Sequence, residues 1–146
     1  LHAVRDDLRD ELVPINRKWN IATLVDACRN YPSRRPITFE YVMLDQVNDT
    51  PEDARRLVRL LHGIKAKVNL LPLNAAPGIP FDRPSDERVN RFAAILADHH
   101  MTVSVRRSRG RDIRAACGQL ITESTRASAP GQRLATLLQA PKASHR

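Results

Sequence analysis

The sequence predicts an α/β fold in which short parallel strands alternate with helices. Three observations predict it. Short runs of β-branched, aromatic and aliphatic residues stand at 37–44, 67–74 and 101–107. Between and before them lie segments whose apolar residues recur at helical spacing. Each of those segments opens on a residue suited to capping a helix, Asn20, Thr50 or Ser85. Helix alternating with strand is the pattern of βα units, whose strands pair in parallel.

Taken in order, the first twenty residues read as an irregular polar start. "NIATLVDACRNYP" is a helix with Asn20 as N-cap and Ile21, Leu24, Val25 and Cys28 at i, i+3, i+4 and i+7, closed by Pro32. "ITFEYVML" is a strand. In "NDTPEDARRLVRLLHGI" Thr50 caps, Pro51 suits the first helical position, and Glu52 and Asp53 complement the helix dipole. Its apolar stripe is Leu57, Leu60, Leu61 and Ile64, with arginines opposite. "KVNLLPLN" is a second strand stopped by Pro72, followed by the turn-rich loop "NAAPGIPFDRP". Ser85 caps a helix with Val89, Phe92, Ala93 and Leu96 on its core face. "MTVSVRR" is a third strand, Met101, Val103 and Val105 on one side, Thr102, Ser104 and Arg106 on the other. Beyond Ile121 the composition is small, polar and basic, which predicts a loose tail over 122–146 with at most one short helix at its apolar patch, 134–138.

With 146 residues the chain is sized for one domain. It carries 24 Lys+Arg against 16 Asp+Glu, a formal net charge of +8, and such a surplus attracts polyanions. Aromatics make up 4%, too few for a base-stacking sheet. Two cysteines make no disulfide framework, and no apolar run reaches the roughly 18 residues of a spanning helix. Acids and arginines fill the place of a signal peptide's apolar stretch, so the expected compartment is the reducing cytoplasm, away from membranes. The chain begins without methionine, and three strands make a poor free-standing parallel sheet. Both features predict a piece of something longer.

Parallel α/β folds place chemistry at the carboxyl ends of their strands. Here those ends are 45–49, 73–78 and 106–113. No Walker or dinucleotide glycine motif accompanies them. His62, His99 and His100 fall at predicted helix ends, where imidazole meets terminal carbonyls, and no metal-binding spacing joins them. His2 differs only if residues 1–3 are the end of a further strand. Cys28 sits on an apolar stripe and reads as core. Cys117 has no such stripe; cations nearby would raise its thiolate fraction, and local sequence leaves it open between an inert and a functional thiol. Arg106, Arg107, Arg109, Arg111 and Arg114 are candidates for RNA phosphates, against the plainer reading of a solvated basic loop. Asn74, at a strand end, suits either a turn cap or a ligand's polar edge.

Three blocks in order, "RRPITFEYVMLDQVND", "KVNLLPLNAAPGIPF" and "VSVRRSRGRDIRAACGQL", resemble the carboxyl half of the radical-SAM adenine-C2 methyltransferases of 23S rRNA, the RlmN and Cfr group. The resemblance runs from Leu1 to Ile121, and its "AACGQL" block is highly specific. It implies the later βα units of a partial (β/α)₆ barrel over 1–121, including the cysteine loop. It implies that Cys117 is the catalytic residue, a methylcysteine carrier between S-adenosylmethionine and carbon 2 of an adenine in 23S rRNA, with tRNA as a further substrate. It implies that Leu1, His2 and Asn74 line the S-adenosylmethionine site. The family's [4Fe–4S] cluster, fed by an electron-donor protein, is held by an upstream C-x-x-x-C-x-x-C. That motif is absent here, as is the resolving cysteine, and two cysteines cannot supply three thiolates. The segment alone is therefore expected to be monomeric, without metal ligands, and inactive. The rival expectations are a non-catalytic basic RNA-binding α/β module and a carbon-8 methyltransferase.

Overall fold

The computed structural model describes residues 1–106. Arg107, Arg109, Arg111, Arg114, Cys117 and the predicted tail lie outside the described residues. Within them the order is α1 (Asp6–Leu12), a 3₁₀ turn (Pro14–Arg17), α2 (Ile21–Arg29), β1 (Ile37–Met43), α3 (Pro51–Leu61), β2 (Ala66–Pro72), α4 (Asp86–Asp98) and β3 (Thr102–Val105). The three strands form one parallel sheet in the order β1-β2-β3. The α/β class and the three βα units are as the sequence predicts.

The predicted caps are in place. Asn20 and Ser85 accept from the backbone nitrogens of Thr23 and Arg88, and Thr50 closes a reciprocal capping box with Asp53. His62 and His99 stand at the ends of α3 and α4, and His99 Nδ1 lies 2.8 Å from the Ile95 carbonyl. Strand ends move slightly: β1 stops at Met43, and β2 runs from Ala66 to Pro72. Pro72 has no N–H to continue the ladder.

The start of the chain departs from the expectation of irregular structure. Asp6–Leu12 is helical although Arg5 caps it with no side-chain hydrogen bond. What holds it is tertiary. Arg9, only 7% exposed, donates to Asn16 Oδ1 and to the Leu1 carbonyl at 3.1 Å, and Asn16 reaches Asp6 and Asp10. Asp6 in turn accepts from the Ile21 nitrogen at 2.9 Å, joining α1 to α2. Local propensity could not show this, because partners six to fifteen residues away stabilise seven residues of helix.

The core lies on one face of the sheet. Phe39, Tyr41 and Met43 of β1 and Val68 and Leu70 of β2 pack against Ala54, Leu57 and Leu61 of α3 and Val89, Phe92 and Leu96 of α4. The Tyr41 and Phe92 rings stand 5.4 Å apart. Cys28 is half-buried against this cluster rather than fully inside it, a modest correction to its reading as core. The opposite face is polar. Glu40 pairs in register with Asn69, and Asn69 with Ser104, making one polar row across three strands.

Candidate active site at the carboxyl edge of the sheet

Strand pairing brings the candidate residues to one end of the sheet. Met43 is opposite Pro72, so the loops after β1 and β2 leave side by side. The Leu73 nitrogen donates to the Met43 carbonyl at 3.0 Å, the last rung before Asn74. The Arg106 nitrogen donates to the Leu70 carbonyl at 2.8 Å, setting Arg106 just past β3 at the same edge. Asn74 and Arg106 are both exposed.

Residues 1–3 join the edge from the other side of β1. The Leu1 nitrogen donates to the Glu40 carbonyl at 2.9 Å. The Val42 N–H donates to His2 Nδ1 at 3.0 Å. So the condition under which His2 became a candidate holds in part: the segment lies along β1, bonded to it through an imidazole instead of a full strand ladder. His2 has φ of 63°, a left-handed backbone seldom adopted by a side chain of this size. Burial is the main cause that holds its imidazole down, from the ordinary 6.5 to about 4, with Arg9 adding to the effect. At neutral pH this histidine is uncharged.

The loop after β1 fixes that geometry. Asn48 is fully buried and uses its whole carboxamide. Its Oδ1 accepts from the Leu44 nitrogen at 2.7 Å; its Nδ2 donates to the His2 carbonyl at 2.8 Å and the Val42 carbonyl at 2.7 Å. Its backbone carbonyl accepts from the Tyr41 hydroxyl at 2.8 Å. One residue on, the Asp49 carboxylate is 2% exposed and receives two bonds from Arg88 of α4, at 2.6 and 2.7 Å. Asp45 stands 3.5 Å from the same guanidinium. The paired Asp49 holds the Arg88 proton more firmly than usual.

Sequence reasoning named Leu1, His2, Asn74 and Arg106, and all four fall at this edge. It missed Asn48, Asp49 and Arg88, whose partners lie up to 46 residues away. It set Ser104 opposite the apolar side of β3 but did not join it to Glu40 and Asn69 in one row. A signal for these three exists: strands buried on both faces read as continuous apolar runs. Here polar residues alternate with apolar ones, which marks one face as lining something other than a packed core. Among the described residues no cluster of three or more His, Cys, Asp or Glu could hold a metal ion. None of their helices is long and apolar enough to cross a membrane.

No protein-family model matches the chain. It is 56% identical over 127 residues to the dual-specificity RNA methyltransferase RlmN of Beijerinckia indica, and 59% identical over 127 residues to that of Methylorubrum extorquens. Over the shared stretch, the chain is a homologue of the RlmN-type methyltransferases. Each match covers 85% of this chain, but only 32% and 30% of the relative, so the chain spans about a third of the length of the curated relatives it matches. The fold agrees. A crystal structure of a radical SAM methyltransferase from Sphaerobacter thermophilus superposes with a TM-score of 0.76 at 54% identity, covering 82% of this chain and 36% of that one. A domain of pyruvate-formate lyase-activating enzyme from Bacteroides vulgatus gives a TM-score of 0.58 at 14% identity, over 73% of this chain and 64% of that one, a likeness of fold alone. The α/β units of this chain thus superpose on part of a radical SAM methyltransferase.

Proposed function

We propose that this chain is the carboxyl-terminal part of a radical-SAM RNA methyltransferase that modifies carbon 2 of an adenine in 23S rRNA, with tRNA as a second substrate. The observation that carries the reading is the joint placement of His2, Asn74 and Arg106 at one carboxyl edge, in a chain 53–59% identical to RNA methyltransferases of RlmN type. In this reading Leu1, His2 and Asn74 face S-adenosylmethionine, which supplies the transferred carbon. The polar edge suits such a ligand: His2 contributes a neutral imidazole and Asn74 a carboxamide, donors and acceptors for a cofactor rich in both. Cys117 carries the methyl-derived carbon as a methylcysteine, and Arg106, Arg107, Arg109, Arg111 and Arg114 hold RNA phosphates.

The [4Fe–4S] cluster does not fit this chain's own residues. Its two cysteines lie far apart in sequence, and Cys28 packs between α2 and the core. Cluster binding therefore belongs to chain outside this segment, and 1–146 supplies the cofactor edge, the carrier thiol and the RNA contacts.

The decisive experiment is Cys117→Ala in the full-length protein that carries this segment, read by mass spectrometry of its RNA. Carbon-2 methyladenine should disappear, and methylation at wild-type level would overturn the assignment. Carbon-8 methyladenine in the wild-type product would leave the family and change the target atom. The net charge of +8 favours one rival, a non-catalytic RNA-binding module. That rival predicts RNA binding with no C-x-x-x-C-x-x-C encoded upstream in frame. Both readings require binding that weakens steeply with salt, and a salt-indifferent binding constant would remove the arginines from the interface.

A further inference from the structure

We infer that His2 is held as the Nε2–H tautomer, a neutral hydrogen-bond donor at the carboxyl edge, and that Asn48 is the residue that positions it. The argument is geometric. A backbone N–H can only donate, so Nδ1, 3.0 Å from the Val42 nitrogen, must accept and carry no proton. A neutral imidazole then bears its one proton on Nε2. Among the described residues no hydrogen-bond acceptor meets Nε2, so that donor is available to a ligand.

The ring cannot turn freely to offer the other nitrogen. The His2 carbonyl is tied by Asn48 Nδ2, the Leu1 carbonyl by Arg9 Nε, and the Leu1 nitrogen meets the Glu40 carbonyl. Three bonds thus hold the left-handed backbone at His2. Asn48 is the centre of this arrangement because the same nitrogen also grips the Val42 carbonyl, within the residue whose N–H enters the imidazole. A carboxylate at position 48 could not donate to either carbonyl. The charged group packed near His2 is Arg9, and its positive charge opposes a second proton on the ring.

The ligand is an acceptor, a hydroxyl or carboxylate oxygen or an unprotonated ring nitrogen. That it belongs to S-adenosylmethionine rests on the function proposed above, but the tautomer does not. Long-range proton–nitrogen correlation spectra of the ¹⁵N-labelled full chain read it directly, with His2→Gln used to identify the His2 signals. The expected pattern is a protonated Nε2 and an unprotonated Nδ1, unchanged until the pH falls toward about 4. An Nδ1–H pattern or an averaged pair of nitrogens at neutral pH would overturn the inference. Asn48→Ala should replace the fixed pattern with averaged tautomers. A fixed pattern surviving in that variant removes Asn48 as the positioning residue. If the variant does not fold, the wild-type spectrum still decides the tautomer. Addition of S-adenosylmethionine should shift the Nε2–H resonance. No shift, with the tautomer intact, counts against the cofactor assignment and leaves the held donor standing.

Discussion

The loops after β1 and β2 leave the same edge of one sheet, side by side, yet they are built in opposite ways. In the first, Leu44, Val47, Asn48 and Asp49 are all buried, and side-chain bonds reach residues 1–3, β1 and α4. In the second, 73–80, every residue is exposed or only half-buried, and Gly78 takes a left-handed φ of 84°. One loop resists displacement; the other presents side chains. On the function proposed above, the first loop would hold the site and the second would touch the ligand. Substitutions in the first should therefore cost stability, and substitutions in the second should cost binding.

The largest effect should come from Arg88→Ala, which strands the buried Asp49 carboxylate. Loss of one partner of a buried pair costs about 3–5 kcal/mol, and since Arg88 is itself partly exposed we expect the lower end, about 3 kcal/mol, in urea unfolding of the full chain. A loss below about 1 kcal/mol would mean that the first loop does not depend on α4. Tyr41→Phe should cost about 1–2 kcal/mol, because the Asn48 carbonyl loses its buried donor. An unchanged midpoint would show that the loop tolerates an unmatched acceptor.

Acid should loosen the first loop next. His2 has a depressed folded value of about 4 against an ordinary 6.5, so the unfolded chain takes up the proton more readily. Its contribution to stability is complete above about 6.5 and is lost as the pH falls toward 4. His2→Gln should flatten that part of a stability–pH curve, and the same slope in both proteins would assign it to another group. The smallest stability effect is expected at Asn74→Ala, within about 0.5 kcal/mol, as for exposed positions generally. The same variant should weaken S-adenosylmethionine binding by about tenfold, the equivalent of one hydrogen bond of roughly 1.4 kcal/mol, measured by calorimetry on the full-length protein. A stability loss rivalling that of Arg88→Ala would erase the contrast between the loops.

How far the sequence could be read follows from the range of the interactions. Caps such as Thr50–Asp53 operate over three residues, so the starts of α2, α3 and α4 were legible. The period-two alternation in β3 showed its faces, and the "AACGQL" block pointed to Cys117, although that residue lies outside the described ones. Helix α1 escaped because the bonds that hold it run from Arg9 to Asn16 and from Asp6 to Ile21, beyond the reach of local propensity. Asn48 escaped for the same reason: within "DQVND" it looks like an ordinary turn residue. Only the fold brings His2, 46 positions earlier, to its carboxamide. His2 itself was half legible, its position suggested by resemblance and its tautomer set by a backbone donor that no sequence displays.

The bond from Val42 to the imidazole has one more consequence, for solubility. A strand at the rim of a sheet offers unpaired N–H groups on which another chain can build, and proteins blunt such rims with features that interrupt the ladder. Here a side chain occupies the Val42 donor in place of a strand, and the left-handed turn at His2 carries the backbone away from the extended path. Protonation of Nδ1 would remove that acceptor and return the donor to solvent. At neutral pH the Val42 N–H is thus withheld from strand addition, and the acid that charges His2 makes it available.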